Sequence, residues 1–151
     1  MSELKRKRAR AIIIKDGKII SMYRELNDRI FYTFPGGGQE GEETLEECVK
    51  REVFEEFGLT VEPIKKIYIY ENERSIEHFY LCEWINGEFA TGQGEEYDEN
   101  RNNGVYIPMM IEISSIPRLP LMPSEVATSF YEDYSKDNKN IRDEIKYINI
   151  E

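Results

Sequence analysis

Between Leu45 and Phe57 apolar side chains recur at every fourth position, Leu45, Val49, Val53 and Phe57. That spacing predicts one amphipathic helix with a single buried stripe. Its ends are marked too. Thr44-Leu45-Glu46-Glu47 has capping-box form, acidic residues crowd the first turn, and Gly58 is placed to end the helix with Leu59 as the apolar residue beyond. Upstream the pattern is that of strands. Arg10–Ile14 reads as a buried strand, Asp16-Gly17 as a hairpin turn, and Lys18–Arg24 as the returning strand, with Ile20 and Met22 alternating against Ser21 and Tyr23. Glu25–Ile30 reads as a polar loop, and Phe31–Phe34 as a short aromatic strand that Pro35 ends.

Downstream, Val61–Tyr70 and Ser75–Ile85 read as two long strands joined by a loop at Glu71–Arg74, with Pro63 marking a ragged start. Asn86-Gly87 is a tight-turn signal, Thr91–Gly104 a polar loop, and Gly104–Ile113 a further extended segment. Ser124 is the expected N-cap of a second helix whose apolar face is Val126, Ala127, Phe130 and Tyr134. The last fifteen residues fit two patterns: Ile141, Ile145 and Ile148 a helix, Tyr147–Ile150 a strand. Interleaved strands and helices predict an α/β protein with a mixed sheet and at least two helices. There is no internal repeat or low-complexity segment, and residues 1–151 read as one domain.

Composition narrows the class. Charged residues make up 33% and hydrophobic ones 40%, as in a soluble domain, and no apolar run approaches the ~20 residues of a membrane span. The first ten residues lack the apolar core of a signal peptide. Cys48 and Cys82 show no metal or redox spacing and read as buried, reduced thiols of a cytoplasmic protein. A net charge of −10 argues against binding nucleic-acid polymers, and the basic cluster Lys5–Arg10 reads as a polar lead-in to the first strand, with contact to a phosphate as the alternative.

The candidate chemistry lies on the Leu45–Phe57 helix. Glu52, Glu55 and Glu56 have i, i+3, i+4 spacing and fall together at one edge of its buried stripe. A solvated acidic face is the commonest meaning of such a cluster. Here, however, residues 40–56 hold eight Glu against Lys50 and Arg51, a net of −6, directly after Gly36-Gly37-Gly38, where the backbone can come close to a ligand. Like charges this close need compensation, and a hard divalent cation with oxygen ligands supplies it. An anionic substrate could approach only with such cations.

Read from Gly37, the stretch is a glycine, five residues, Glu43, seven residues, Arg51-Glu52, Val53, one residue, Glu55-Glu56, one residue, Gly58 and Leu59. It resembles the Nudix box, with every fixed position filled. The resemblance implies an α/β/α sandwich around a mixed sheet. It also implies Mg²⁺-dependent (or Mn²⁺-dependent) hydrolysis of a phosphoanhydride bond in a nucleoside diphosphate linked to another group, X. Glu52, Glu55 and Glu56 would then be metal ligands, joined by the Gly36 carbonyl. Arg51 and Glu43 would lock the loop that starts at Gly37 against the helix, which places Arg51 in the catalytic unit. Glu47 is an alternative surface partner for Arg51. The general base would be Glu52 or Glu55, with Glu96 (or Glu95) of the later loop as the second candidate. Glu42 departs from the glycine many members have before the box Glu, so the loop is expected to turn earlier, at Gly41.

Among substrates, a MutT-type (deoxy)nucleoside triphosphate giving monophosphate and pyrophosphate is expected. ADP-ribose, sugar nucleotides and dinucleoside polyphosphates are the alternatives. RNA cap removal is disfavoured by the acidic charge. A reading of another class is a non-catalytic nucleotide sensor, against which the intact glutamates weigh. Arg24, Tyr32 and Tyr80 are candidate substrate contacts, whereas His78 and Trp84 fit packing roles. The expected partner is a small-molecule nucleotide, with no membrane association. A homodimer is compatible with the sequence.

Overall fold

The computed structural model describes residues 4–92 and 104–151. Strands β1 (Arg6–Lys15), β2 (Lys18–Leu26), β3 (Arg29–Thr33) and β4 (Gly36–Gly38) precede helix α1 (Leu45–Phe57). Strands β5 (Thr60–Glu71), β6 (Ser75–Asn86) and β7 (Val105–Glu112) follow. Then come a 3-10 turn (Ile113–Arg118), β8 (Leu121–Met122), helix α2 (Ser124–Lys136) and β9 (Lys146–Asn149). The strands hydrogen-bond in the order β8-β3-β2-β1-β6-β5-β9, with β4 also on β1 and β7 also on β2. β1 runs parallel to β6 and β5 parallel to β9, while the β1–β2, β2–β3 and β5–β6 pairs are antiparallel, so the sheet is mixed.

Each helix covers one face of this sheet. Ala11 and Ile13 of β1 pack with Val49, Val53 and Phe57 of α1. Ile12, between them, packs with Phe79, Val126 and Phe130 on the α2 side. Successive residues of β1 therefore enter opposite cores, which is why the Ala11–Ile14 run is apolar without alternation. This is an α/β/α sandwich. No helix among the described residues is long and apolar enough to cross a membrane. Both cysteines are free and buried, as expected.

Helix α1 has the predicted limits because both ends are chemically closed. The Thr44 side chain accepts from the Glu47 N–H at 3.1 Å, and the Glu47 carboxylate accepts from the Thr44 N–H at 2.8 Å. At the other end Gly58 takes φ +75°, a left-handed value that costs a glycine little. Val49, Val53 and Phe57 are fully buried, and Leu45 is partly so. Thr44→Ala is expected to lower stability by about 1 kcal/mol, read as a shifted midpoint in denaturant unfolding. An unchanged midpoint would mean that the box loop, not the cap, holds this end.

Four expectations need correction. β1 starts at Arg6, not Arg10, so the basic cluster is strand rather than lead-in. Lys5 pairs there with Glu71 and Glu151, and Arg10 with Glu77. The polar loop expected at Glu25–Ile30 is a tight hairpin: Glu25 pairs with Ile30 and Leu26 with Arg29. Asn27 and Asp28 make its turn at φ +51° and +64°, a conformation these two residue types tolerate. Phe34 leaves the strand to pack edge-on against Phe79 in the α2-side core. Ser124 is the first helical residue rather than the cap; Pro123 takes the cap position, without a side-chain hydrogen bond. Of the two patterns at the C-terminus, the strand forms, because β5 offers an edge along Tyr68–Glu71.

Candidate active site

Strand β4 is built wholly of glycine and pairs with β1 through Arg8–Gly38, Ala9–Gly37 and Arg10–Gly36. Without side chains it lets α1 approach closely: a Cβ on Gly37 would lie 2.6 Å from the Glu52 carboxylate. The loop leaving β4 turns at Gly41, where φ is +54°, as the Glu42 departure implied.

Arg51 ties this loop to the helix. Its Nη2 and Nε donate to the two oxygens of Glu43 at 2.7 and 3.0 Å, a bidentate pair, and Nη2 also donates to the Gly38 carbonyl at 3.1 Å. Glu43 in turn accepts from the Glu40 N–H at 2.9 Å, and its own carbonyl accepts from Gln39 at 2.7 Å. The Arg51 guanidinium holds the Glu43 carboxyl down at about 2, and this pairing raises Arg51 above its ordinary value. Glu47 is engaged in the helix cap instead of pairing with Arg51.

The helix carboxylates surround the same cation. Nη1 of Arg51 donates to Glu52 at 3.1 Å and to Glu55 at 3.3 Å, while Glu40 lies 3.9 Å away. Glu56 is buried, and its Oε1 accepts from the Gly36 N–H at 2.8 Å. Gly36 is bound on its other side as well, since its carbonyl accepts from Arg10 at 3.1 Å. Thus Gly36, Gly37, Glu43, Arg51, Glu52, Glu55 and Glu56 occupy one corner of the sheet. Its donor set is all oxygen and strongly anionic, which fits a hard divalent cation. Among the described residues no three Asp, Glu, His or Cys side chains are already gathered as a metal cage. Glu52 and Glu55 are turned toward Arg51, so cation binding would draw them from it.

The other candidates lie elsewhere. The Arg24 guanidinium stacks 3.5 Å over the Tyr106 ring and donates to the Val105 carbonyl. Tyr32 meets the Tyr23 ring edge-on at 5.5 Å. Tyr80 is buried beneath α1 and donates to Glu46 at 2.7 Å; burial and that carboxylate push its hydroxyl upward. Burial pushes His78 down to about 4, so it is neutral at pH 7. Trp84 packs against the α1-side core. Glu95 and Glu96 lie outside the described residues.

The basic cluster, as part of β1, adds one feature next to the box. Arg6, Arg8 and Arg10 alternate along β1, which puts their side chains on one face beside β4. Their period of two was the available signal. Next to Arg10 opens a cleft of about 280 Å³ lined also by Thr33, Tyr70, Glu77, Met122 and Glu125.

A family model of the NUDIX domain matches residues 5–110, more than half of the chain. No curated protein matches by sequence. Among solved structures, an ADP-ribose pyrophosphatase from Streptococcus suis superposes with TM-score 0.67 at 21% identity, over 97% of this chain and 100% of that one. A NUDIX hydrolase from Nitrosomonas europaea gives 0.75 at 14% identity, over 99% and 81%. A MutT protein from Methanosarcina mazei gives 0.64 at 18%, over 93% and 99%. At these identities the superpositions speak for the fold. With the family model matched across the box and strands β1–β6, the chain belongs to the Nudix family, whose members are pyrophosphohydrolases of phosphoanhydride bonds and generally use divalent metals.

Proposed function

We propose that this protein hydrolyses a phosphoanhydride bond in a nucleoside diphosphate linked to X, with Mg²⁺ or Mn²⁺ held by Glu52, Glu55, Glu56 and the Gly36 carbonyl. The observation that carries this is the fixed corner itself, where one bidentate Arg51–Glu43 pair holds an all-glycine strand against a helix edge bearing three carboxylates. Bound cations would neutralise the pyrophosphate oxygens and lower the pKa of the attacking water. The chain's own part is positioning. Arg51 sets the loop, and Glu56 fixes Gly36. Glu55, the more exposed of the two carboxylates on Nη1, is poised to take the water's proton, with Glu52 and Glu96 as the other candidates. Arg24, Tyr32 and Tyr80 stay secondary candidates for substrate contact.

The substrate we favour is a (deoxy)nucleoside triphosphate, cut to monophosphate and pyrophosphate by one domain spanning residues 1–151. The two buried free thiols agree with a reducing cytoplasm. The test is product analysis on a nucleotide panel, with Mg²⁺ and with chelator. Metal-dependent pyrophosphate from a triphosphate is the expected result. Two monophosphate-containing products from ADP-ribose, a sugar nucleotide or a dinucleoside polyphosphate would move X. Tight nucleotide binding without turnover would replace hydrolysis by sensing.

A further inference from the structure

Arg6, Arg8 and Arg10 stand two residues apart, about 7 Å, on one strand face. Arg10 is committed: it bonds Glu77 at 2.8 Å and the Phe34 and Gly36 carbonyls at 3.1 Å. Arg6 lies against Gly38, where a Cβ would strike its guanidinium. Arg8, half-buried between them and opposite Gly38, is in no hydrogen bond or ion pair among the described residues. This is unexpected in a chain with 30 acidic and 20 basic side chains, and more so beside the most acidic stretch of the sequence. Glu77, its register partner on β6, is taken by Arg10. Glu52, which also acts on Arg8 electrostatically, is bonded to Arg51. Burial and the neighbouring Arg10 and Arg6 all disfavour the Arg8 charge. A half-buried guanidinium crowded by two others would be stabilised by an added anion, and a phosphate fits its forked donors best.

The placement says which phosphate. The Cβ direction of Gly37 points at Glu52 and that of Gly38 at Arg6, so β4 has the carboxylates on one side and the arginines on the other. On the hydrolase reading, charge at the scissile bond would be met on the carboxylate side by cations, and arginine would meet negative charge farther along the substrate.

We propose that Arg8, flanked by Arg6 and Arg10, binds a phosphate carried by X, so that the preferred substrates have a phosphorylated X rather than a neutral sugar. This rests on the hydrolase reading and sharpens it. The experiment compares wild type, Arg8→Gln and Arg8→Lys, each checked for an unchanged thermal melt. It measures kcat and KM for a nucleoside triphosphate and for a neutral-X sugar nucleotide, and calorimetric binding of inorganic tripolyphosphate in Mg²⁺. The expected result for Arg8→Gln is a fall of about 10-fold or more in the triphosphate-to-conjugate ratio of kcat/KM, on the usual scale for a charge-assisted contact, with most of it in KM. Tripolyphosphate binding should weaken in parallel and be partly restored in Arg8→Lys. An unchanged ratio with unchanged tripolyphosphate binding overturns the proposal while leaving hydrolysis standing. If wild type turns over no nucleotide but binds tripolyphosphate through Arg8, the hydrolytic reading falls and the anion site stands.

Discussion

Glu55→Gln is expected to lower kcat by about 10²-fold or more, the usual scale for losing a general base or a metal-holding carboxylate, while leaving the fold intact. The two effects separate because of where Glu55 sits. Its side chain is 41% exposed and its partner, Arg51, keeps the tighter bidentate bond to Glu43. Removing one charge from a crowded anionic edge relieves repulsion, so melting should be unchanged or slightly raised. Glu52 and Glu56 are poorer first tests, because one packs against Gly37 and the other holds Gly36, so their loss would disturb the loop as well. Steady-state kinetics with Mg²⁺ in excess make the measurement. Near-wild-type turnover would remove Glu55 from the chemistry and direct attention to Glu52 and Glu96.

Replacing Arg51 by Met should do the reverse, damaging stability first and activity through it. The guanidinium faces Glu40, Glu43, Glu52 and Glu55. Without it these carboxylates repel one another and the Gly38 carbonyl loses its donor. Breaking a buried pair costs about 3–5 kcal/mol; for this partly exposed one about 3 kcal/mol is expected, or roughly 10 °C in Tm. Turnover should fall about 10- to 100-fold, as when a support of metal-holding side chains is lost. The pH dependence gives a second reading. Glu43 has its carboxyl depressed from 4.5 to about 2, so its contribution to stability is full above 4.5 and is lost as pH falls toward 2. In Arg51→Met that acid-side decline should flatten. A variant melting like wild type, with the same acid limb, would show that the loop is held by its backbone bonds alone.

How much of this was legible beforehand depends on how local the cause is. α1 could be read to the residue because Thr44, Glu47 and Gly58 close it within its own sequence. The glutamate edge followed from helical periodicity alone. The β2–β3 hairpin was obscured because Asn27-Asp28 lacks the glycine that usually marks such a turn, although both residues accept left-handed backbone. The start of β1 was hidden because its exposed and its site-facing positions are both cationic, so no apolar alternation shows. β9 depends on β5, more than seventy residues earlier, and no local propensity could choose it over a helix. At the candidate site, the Nudix resemblance paired Arg51 with Glu43, whereas helical spacing alone offered Glu47. Neither could show that Glu56 reaches Gly36, a contact made only once α1 lies across the sheet.

Cys48 offers a way to watch that corner come apart. The thiol faces the Gly37 carbonyl at 3.6 Å and the Arg51 guanidinium at 3.9 Å, and burial pushes it up to about 12. It is therefore neither accessible nor ionised in the folded protein, and alkylating reagents should leave it intact for as long as α1 stays seated. Labelling then reports the frequency with which the helix lifts from β4, and it should quicken in Arg51→Met well before the whole chain unfolds. Cys82, in the same core, serves as an internal clock. Equal labelling of the two thiols marks global opening, whereas earlier labelling of Cys48 marks local release of the loop–helix junction.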